Sequence, residues 1–213
     1  MTQHDQQVTT KRTRLSAEER REQILGAAGP HFAEHGYRCS DIQHIADAIG
    51  VGKGTIYRYF PTKEDLFVAC VERAVETINT RASVAAQRGR DPVEKMRLAV
   101  RSYLEFFDEH PEVIELFIQE RAEFRDRGKP VYFVHWERNR PDWSVLMDQL
   151  REHGRFRQID SAEAGRFFSY AMYGTVIAHR LTGETSSLVG RTDLIVDIML
   201  HGMLIPDSEP DTL

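Results

Sequence analysis

Residues 40–60 constrain the fold of this chain more than any other segment. Two short stretches on either side of Gly50 to Gly52 carry apolar residues at helical spacing, so each can bury one face of a helix. Two short helices joined by a three- or four-residue turn containing glycine form a helix-turn-helix. We therefore expect one here. The apolar positions are Ile42, Ile45, Ala46, Ile49, Ile56 and Phe60.

The remaining sequence also has helical periodicity, and neither β-branched alternation nor an Asn-Gly or Asp-Gly hairpin signal interrupts it. Ser16 and Thr62 each stand three residues before an acid, which is the spacing of a capping box, and Ser40 is expected to cap the helix that follows it. We expect Gly36 to end the first helix in a left-handed conformation. The sequence predicts an all-α chain of about nine helices, the later ones at about 92–108, 111–128, 130–154, 160–182 and 190–204, with bends at Pro30 and Pro141.

Composition excludes several classes of protein. Of the 213 residues, 41% are hydrophobic and 29% are charged, as in a globular protein, and no apolar run approaches the length of a membrane span. Two cysteines, Cys39 and Cys70, provide no disulfide framework, so we expect both to be reduced and at least partly buried. These features favour a cytoplasmic protein without a membrane partner.

The net charge of −5 argues against a generally basic nucleic-acid binder. The charge is not evenly distributed along the chain, however. Residues 1–75 have ten basic and ten acidic side chains, so the whole deficit lies in residues 76–213. Residues 51–63 have three cations, no acid and two interleaved tyrosines. Arginine can bind guanine bidentately, and tyrosine, threonine and lysine suit phosphate oxygens. The segment is therefore a candidate nucleic-acid surface, and a solvated cationic face is the alternative.

Residue types and spacing over about residues 18–78 resemble the TetR family of bacterial transcription regulators. The resemblance implies an all-helical homodimer that binds a palindromic DNA operator, most often as a repressor that a small ligand releases. It also implies the division of the chain into a flexible arm (1–15), a DNA-binding domain (16–78), an effector-binding and dimerisation domain (79–205) and a loose tail (206–213). The matching motif positions are Gly36, Tyr37, Ile42, Ile45, Ala46, Gly50, Val51, Lys53, Gly54, Thr55, Ile56, Tyr57, Tyr59, Phe60, Lys63, Glu64 and Leu66.

By motif position, the resemblance assigns eight residues to DNA contact. Gln43 and Arg58 occupy variable positions and are candidates for base recognition, whereas Tyr57, Tyr59 and Lys63 are candidates for phosphate contact. The start of the fourth helix, near Thr62, is a further phosphate candidate through its free amides. The eight assigned residues are Gln43, Lys53, Gly54, Thr55, Tyr57, Arg58, Tyr59 and Lys63.

An effector site is expected among the aromatic residues of the second half, although most of these residues belong to a core. Some could line a pocket for an apolar or aromatic molecule. Arg121 and Arg125 form an i, i+4 pair that could bind an effector carboxylate, or could simply lie on a solvated face. The candidates are Phe106, Phe117, Arg121, Phe124, Trp136, Trp143, Phe168 and Tyr173.

The last two helices are candidates for a dimer interface. Small residues form a stripe on the first of them, and small residues allow two helices to approach closely. A seam within one subunit is the alternative. The candidates are Ala164, Phe167, Ala171, Gly174, Ala178, Ile195 and Met199.

Other functions have less support in the sequence. No nucleophile–base pair, phosphate loop or metal-ligand spacing stands out among the nine histidines, so we expect no enzyme, cofactor, catalytic residue or metal site. His31 and His35, at i, i+4, are a possible but incomplete metal pair. A transcriptional activator and a ligand-binding protein that no longer binds an operator remain open alternatives.

Overall fold

Helices account for the regular secondary structure of the described chain. The computed structural model describes residues 15–152 and 159–203, and within those ranges it has nine α-helices, two short 3₁₀ turns and no strand. The all-α prediction is therefore confirmed. The helices are α1 (Ala17–Cys39), α2 (Ile42–Ala48), α3 (Lys53–Tyr59), α4 (Lys63–Ala86), α5 (Pro92–Glu109), α6 (Glu112–Glu123), α7 (Val131–Leu150), α8 (Ser161–Leu181) and α9 (Thr192–Met203).

Local capping signals set most of these boundaries. Ser16 and Thr62 both form the predicted capping boxes, with Glu19 and Asp65. The prediction for Ser40 was wrong, because Asp41 caps α2 while the Ser40 hydroxyl donates to the Gly36 carbonyl 2.7 Å away. An aspartate one residue later offers a stronger acceptor for the first amides of α2. The predicted arm and tail, and Gly154, lie outside the described residues.

Glycine, rather than proline, interrupts α1. Gly36 has φ 77° and ψ 153°, which breaks the helical path in the left-handed region as predicted, whereas the backbone stays helical at Pro30. The helical state of α7 likewise continues through residue 141. A proline removes one hydrogen bond, and in these helices the flanking turns keep the backbone helical.

One continuous core links the N-terminal helices to the rest of the chain. The most extensive pairing is α4 on α5, and α1 packs on both α4 and α6. Phe32, Phe67 and Phe107 are among the fully buried side chains. Cys70 is buried as expected, and burial raises its pKa to about 12, but Cys39 is exposed, contrary to expectation, because it follows the break at Gly36.

Replacing Gly89 by alanine is expected to destabilise the turn between α4 and α5. A Cβ atom at Gly89 would lie 2.5 Å from the backbone nitrogen of Lys95, and backbone cannot move aside as a flexible side chain can. Overpacking of this kind costs about 1–3 kcal/mol, measured as the free energy of unfolding in urea.

Gly26→Ala is the matched control for that substitution. Gly26 is helical and exposed, and a Cβ there meets no atom within 4 Å, so alanine should add about 0.5–1 kcal/mol of stability. Equal stability of the two variants would contradict the argument from the Gly89 contact.

Candidate DNA-binding surface and ligand cavity

The helix-turn-helix consists of α2, a turn over residues 49–52, and α3. Gly50 has φ 66°, a left-handed conformation that the turn requires, and the Val51 amide donates to the Ala46 carbonyl at 3.0 Å. Ile45 of α2 and Ile56 of α3 are buried in the same core cluster as residues of α1 and α4. The buried side of α3 therefore fixes which of its residues face solvent.

An ion pair joins the starts of α2 and α3. The Asp41 carboxylate accepts from the Gln43 amide at 2.8 Å and from Lys53 Nζ at 3.2 Å. Both contacts lower the pKa of Asp41, the amide contact more strongly. Gln43 is also held in place, because its side-chain amide donates to Asp47 Oδ1 at 2.7 Å. The polar side chains near α3 are thus oriented before any ligand binds.

The outer face of α3 presents Gly54, Tyr57 and Arg58 to solvent. The Tyr57 side chain is large, partly apolar and 38% exposed. The Arg58 guanidinium lies 5.6 Å from the ring centre of Tyr59, and no ion pair involving Arg58 is found among the described residues. A Cβ at Gly54 would meet no atom within 4 Å, so the protein's own packing does not require glycine there. Thr55 and Tyr59 are half-buried beside this face.

Lys63 stands at the start of α4, and its ammonium group is bound to the protein's own backbone. Its Nζ donates to the carbonyls of Arg38 at 3.2 Å and Ser40 at 3.0 Å, and it lies 4.7 Å from the ring centre of Tyr37. These contacts satisfy carbonyls at the end of α1. No local sequence pattern indicates these contacts, since they join residues 23 and 25 positions apart.

The N-terminus of α4 offers fewer free amides than the sequence suggested. The Asp65 amide donates to the Thr62 hydroxyl, and the Thr62 amide donates to the Asp65 carboxylate, each at 3.0 Å. Glu64 adds a second acid to the first turn. The carboxylates already use the positive end of this helix, so the phosphate site predicted near Thr62 is partly occupied by the chain itself.

A small cavity lies among α4, α5, α7 and α8. Its volume is about 40 Å³, enough for a few water molecules. The hydroxyls of Tyr103 and Tyr132 lie 3.4 Å apart at its wall, and burial raises the pKa of both. The lining residues are Val75, Asn79, Ala82, Ala99, Val100, Tyr103, Tyr132, Trp136, Trp143, Phe168, Ser169 and Met172.

A larger cleft of about 820 Å³ opens beside this cavity, between α4, α5 and α7. Asn79, Ala82, Ala99 and Trp143 line both spaces, so the cleft and the cavity are neighbours. The cleft is more polar than the cavity, and the charged residues of its lining, among the side chains that the structure describes, are Glu76, Lys95 and Arg138.

Comparison with known proteins identifies the helix-turn-helix. The sequence profile for "Bacterial regulatory proteins, tetR family" matches residues 24–70, which contain the whole motif. Residues 24–70 therefore match the DNA-binding region typical of the TetR family. Proteins of this family are transcription regulators rather than enzymes, in agreement with the sequence analysis.

Similarity to known transcription regulators extends beyond the motif. The transcriptional activator FasR of Mycolicibacterium smegmatis is 33% identical over 95 residues, which are 45% of this chain and 43% of FasR. The repressor BepR of Brucella suis is 29% identical over 209 residues, covering 94% of this chain and 99% of BepR. The regulator FadR of Bacillus subtilis, solved with stearoyl-CoA, has a TM-score of 0.72 at 19% identity, covering 85% of this chain and 98% of FadR. The chain spans less than half of FasR.

Three of the eight candidate effector residues line the small cavity: Trp136, Trp143 and Phe168. Tyr173 packs on Tyr132 just behind the wall, with ring centres 4.8 Å apart. The other four lie elsewhere. Phe106 and Phe117 are buried in the core, Phe124 packs on Tyr37 and Phe67, and Arg121 is exposed, as is Arg125.

The predicted dimer residues of α8 and those of α9 differ in their exposure to solvent. Those of α8 form an exposed or half-buried stripe that also includes Tyr170 and Leu181. On α9, by contrast, Met199 is buried and Ile195 is half-buried, because this helix packs on α5. The large apolar residues of α9 that are exposed among the described side chains are Leu194 and Ile198. The α8 stripe comprises Ala164, Phe167, Tyr170, Ala171, Gly174, Ala178 and Leu181.

Two possible alternatives to a regulatory site were tested in the described residues. No helix there combines the length and hydropathy needed to cross a membrane. Across residues 15–152 and 159–203, no group of three His, Cys, Asp or Glu side chains is placed to hold a metal ion. The rings of His31 and His35 stack at 4.3 Å, and the ring of His44 lies 6.1 Å from that of His31.

Acid is expected to destabilise the protein through His31. Burial lowers the pKa of His31, and the nearby His35 and His44 lower it further, while Glu34 and Asp41 act in the opposite direction. The unfolded chain therefore takes up this proton more readily than the folded one. The free energy of unfolding should fall as pH drops through about 6.5.

His31→Gln should flatten this pH dependence, measured by urea unfolding between about pH 7.5 and about pH 5.5. His201→Gln is the control, because His201 is exposed on α9 and contacts Asp197 instead. An identical pH slope for wild type and His31→Gln would show that another group is responsible.

Proposed function

We propose that this protein is a TetR-family repressor that binds a palindromic operator as a homodimer and leaves it when a small apolar or aromatic effector binds. The observation that carries the proposal is the outer face of α3. Gly54, Tyr57 and Arg58 project from a helix whose opposite side is anchored in the core. A rigid helix of this kind suits the DNA major groove.

The expected DNA contacts divide by chemistry. Arg58 has an exposed guanidinium and is the candidate for guanine recognition, and Gln43 is a second candidate for a base contact. Gly54 permits close approach of the backbone to DNA. Phosphate contacts are assigned to the hydroxyls and ammonium groups around them. These are Lys53, Thr55, Tyr57, Tyr59 and Lys63.

Exposed apolar residues on the last two helices support a homodimer. Phe167, Leu181, Leu194 and Ile198 are exposed by 60–70%. Exposed apolar side chains that follow a helix face are typical of a protein–protein interface. An isologous pairing through these helices would present two copies of α3, about 34 Å apart on one face of DNA.

Contacts of α6 with α1 provide a route from the cavity to the DNA-binding helices. The Gln119 side chain donates to the Phe32 carbonyl at 3.0 Å, and Arg38 forms an ion pair with Glu123 at 2.7 Å. The buried Glu120 carboxylate accepts from the Val131 amide at 2.8 Å, and so ties α6 to the start of α7. A ligand that moves α7 would therefore also shift α6 and α1. An effector that binds the DNA-released conformer about 1–3 kcal/mol more tightly than the DNA-bound conformer suffices for such coupling.

The assignment of domains follows from this proposal. Residues 16–78 would bind DNA, and residues 79–205 would bind effector and partner subunit, within the cytoplasm. The relative FadR was solved with stearoyl-CoA, so a protein of this fold can hold an elongated ligand.

A gel shift with DNA from upstream of the gene tests the proposal. Wild type should shift this DNA at salt near 0.15 M, and Gly54→Leu should not, because a bulky side chain on α3 would block close approach. The open space around Gly54 predicts that the variant folds normally, which circular dichroism checks. If the wild-type protein selects no operator from random DNA, the result would favour a ligand-binding protein that does not bind an operator.

Activation is the second candidate, and the name of the relative FasR favours it. Repression and activation are separated by deleting the gene and measuring the output of a reporter placed under the promoter that the protein binds. Reporter output should rise if the protein represses, and should fall if it activates.

A further inference from the structure

We infer that the cleft binds an amphipathic organic anion, with its apolar body directed to the cavity and its charged head held by Lys95 and Arg138. This inference rests on the proposed function, since it assumes that the cavity and the cleft form the effector site. It adds the chemical class of the ligand.

The charges of the cleft support an anionic head group. Lys95 comes from α5 and Arg138 from α7, so two helices place cations on the same cleft. No ion pair involving either cation is found among the described residues, whereas Arg90, an exposed arginine on another surface, pairs with Glu94. Among the lining residues whose side chains the structure describes, Glu76 is the single acid. Cations left without a carboxylate partner on a concave surface favour an anionic ligand.

The inner end of the site has the opposite character. Trp136, Trp143 and Phe168 give it an aromatic wall, and the rings of Trp143 and Phe168 lie 5.4 Å apart. The polar atoms there are uncharged, and belong to Asn79, Tyr103, Tyr132 and Ser169. A charged group would lose its hydration in this cavity, whereas an apolar body would not.

The relative position of the cleft and the cavity sets the direction in which the ligand lies, with its head in the cleft and its body towards the cavity. Trp143 lines both the cleft and the cavity, and the cavity is too small in this conformation for more than a few water molecules. The body of a ligand must therefore displace side chains at this boundary as it enters. That displacement moves α7, which carries Trp143, Trp136 and Arg138 together.

The position of the cations differs from the one suggested by the sequence. Arg121 and Arg125 lie outside both lining sets and face solvent. Lys95 and Arg138 are 43 residues apart in sequence, so no local spacing marks them as a pair.

Tryptophan fluorescence provides a direct test, because the two tryptophans of the chain both line the cavity. Probes with one chain length and different heads are titrated below their micellar concentrations, without DNA. These are decanoate, decyl phosphate, decanol and decyltrimethylammonium. We expect saturable changes in emission, with at least one anion bound about tenfold or more tightly than the cation. The stronger of the two anions distinguishes a carboxylate from a phosphate head.

The double variant Lys95→Gln and Arg138→Gln should weaken binding of that anion about tenfold or more and leave decanol unchanged. Arg101→Gln is the matched control, an exposed cation of α5 outside both lining sets. Equal binding of all four probes, no response from any probe, or unchanged anion binding by the double variant would overturn the inference.

The design separates this inference from the proposed function. Anion binding without release of DNA in a parallel gel shift would contradict effector-controlled repression and leave the ligand class standing. DNA binding with no preference for anions would contradict the ligand class alone.

Discussion

Replacing Arg58 by alanine is expected to lower operator affinity about 30- to 2 × 10⁴-fold, because the homodimer loses one bidentate base contact of roughly 1–3 kcal/mol in each half-site. The guanidinium is exposed on α3, and its closest described partner is the neighbouring ring of Tyr59. Its removal leaves the packing of α3 intact, so stability should change little. Fluorescence anisotropy with a labelled operator measures the effect.

Base substitutions in the operator make this experiment specific. Loss of Arg58 should remove discrimination at one base pair of each half-site and preserve it at the others. Arg101→Ala removes the same charge from an exposed position on α5 and should leave both affinity and discrimination close to wild type. If Arg58→Ala weakens all sequences alike, Arg58 contacts phosphate and a different residue reads the base.

Features with local causes were predictable from the sequence. The capping boxes at Ser16 and Thr62 depend on residues three positions apart, and the buried positions of α2 and α3 follow from helical periodicity. Such signals fixed the helix-turn-helix and placed its polar residues on the outer face of α3. The cap of α2 was predicted wrongly, because Ser40 and Asp41 are adjacent and both residue types can cap a helix.

Features with tertiary causes were not predictable in the same way. An aromatic residue can enter the core, as Phe117 does, or line a cavity, as Trp136 does, and composition does not distinguish the two. The carbonyl contacts of Lys63 depend on the end of α1. The predicted dimer residue Met199 of α9 is buried, whereas its neighbour Ile198 is exposed, because periodicity does not show which side of a helix meets its own subunit.

Replacing Phe167 by aspartate is expected to dissociate the proposed homodimer. Phe167 is 70% exposed in the single chain, so the substitution should leave the fold of one subunit intact. Full burial of such a side chain contributes about 1.5–3 kcal/mol, and a two-fold interface contains it twice. The dimer dissociation constant should therefore rise about 10²- to 10⁴-fold, as measured by analytical ultracentrifugation.

Val84→Asp provides the control for added negative charge on an exposed apolar residue. Val84 lies on α4, which packs mainly on α1, α5, α6 and α7, and the variant should remain dimeric. Operator affinity should fall with dimerisation in Phe167→Asp, because a monomer can occupy only one half-site. A Phe167→Asp protein that stays dimeric would exclude this stripe as the interface, whereas a monomer with unchanged operator affinity would mean that a single α3 accounts for DNA binding.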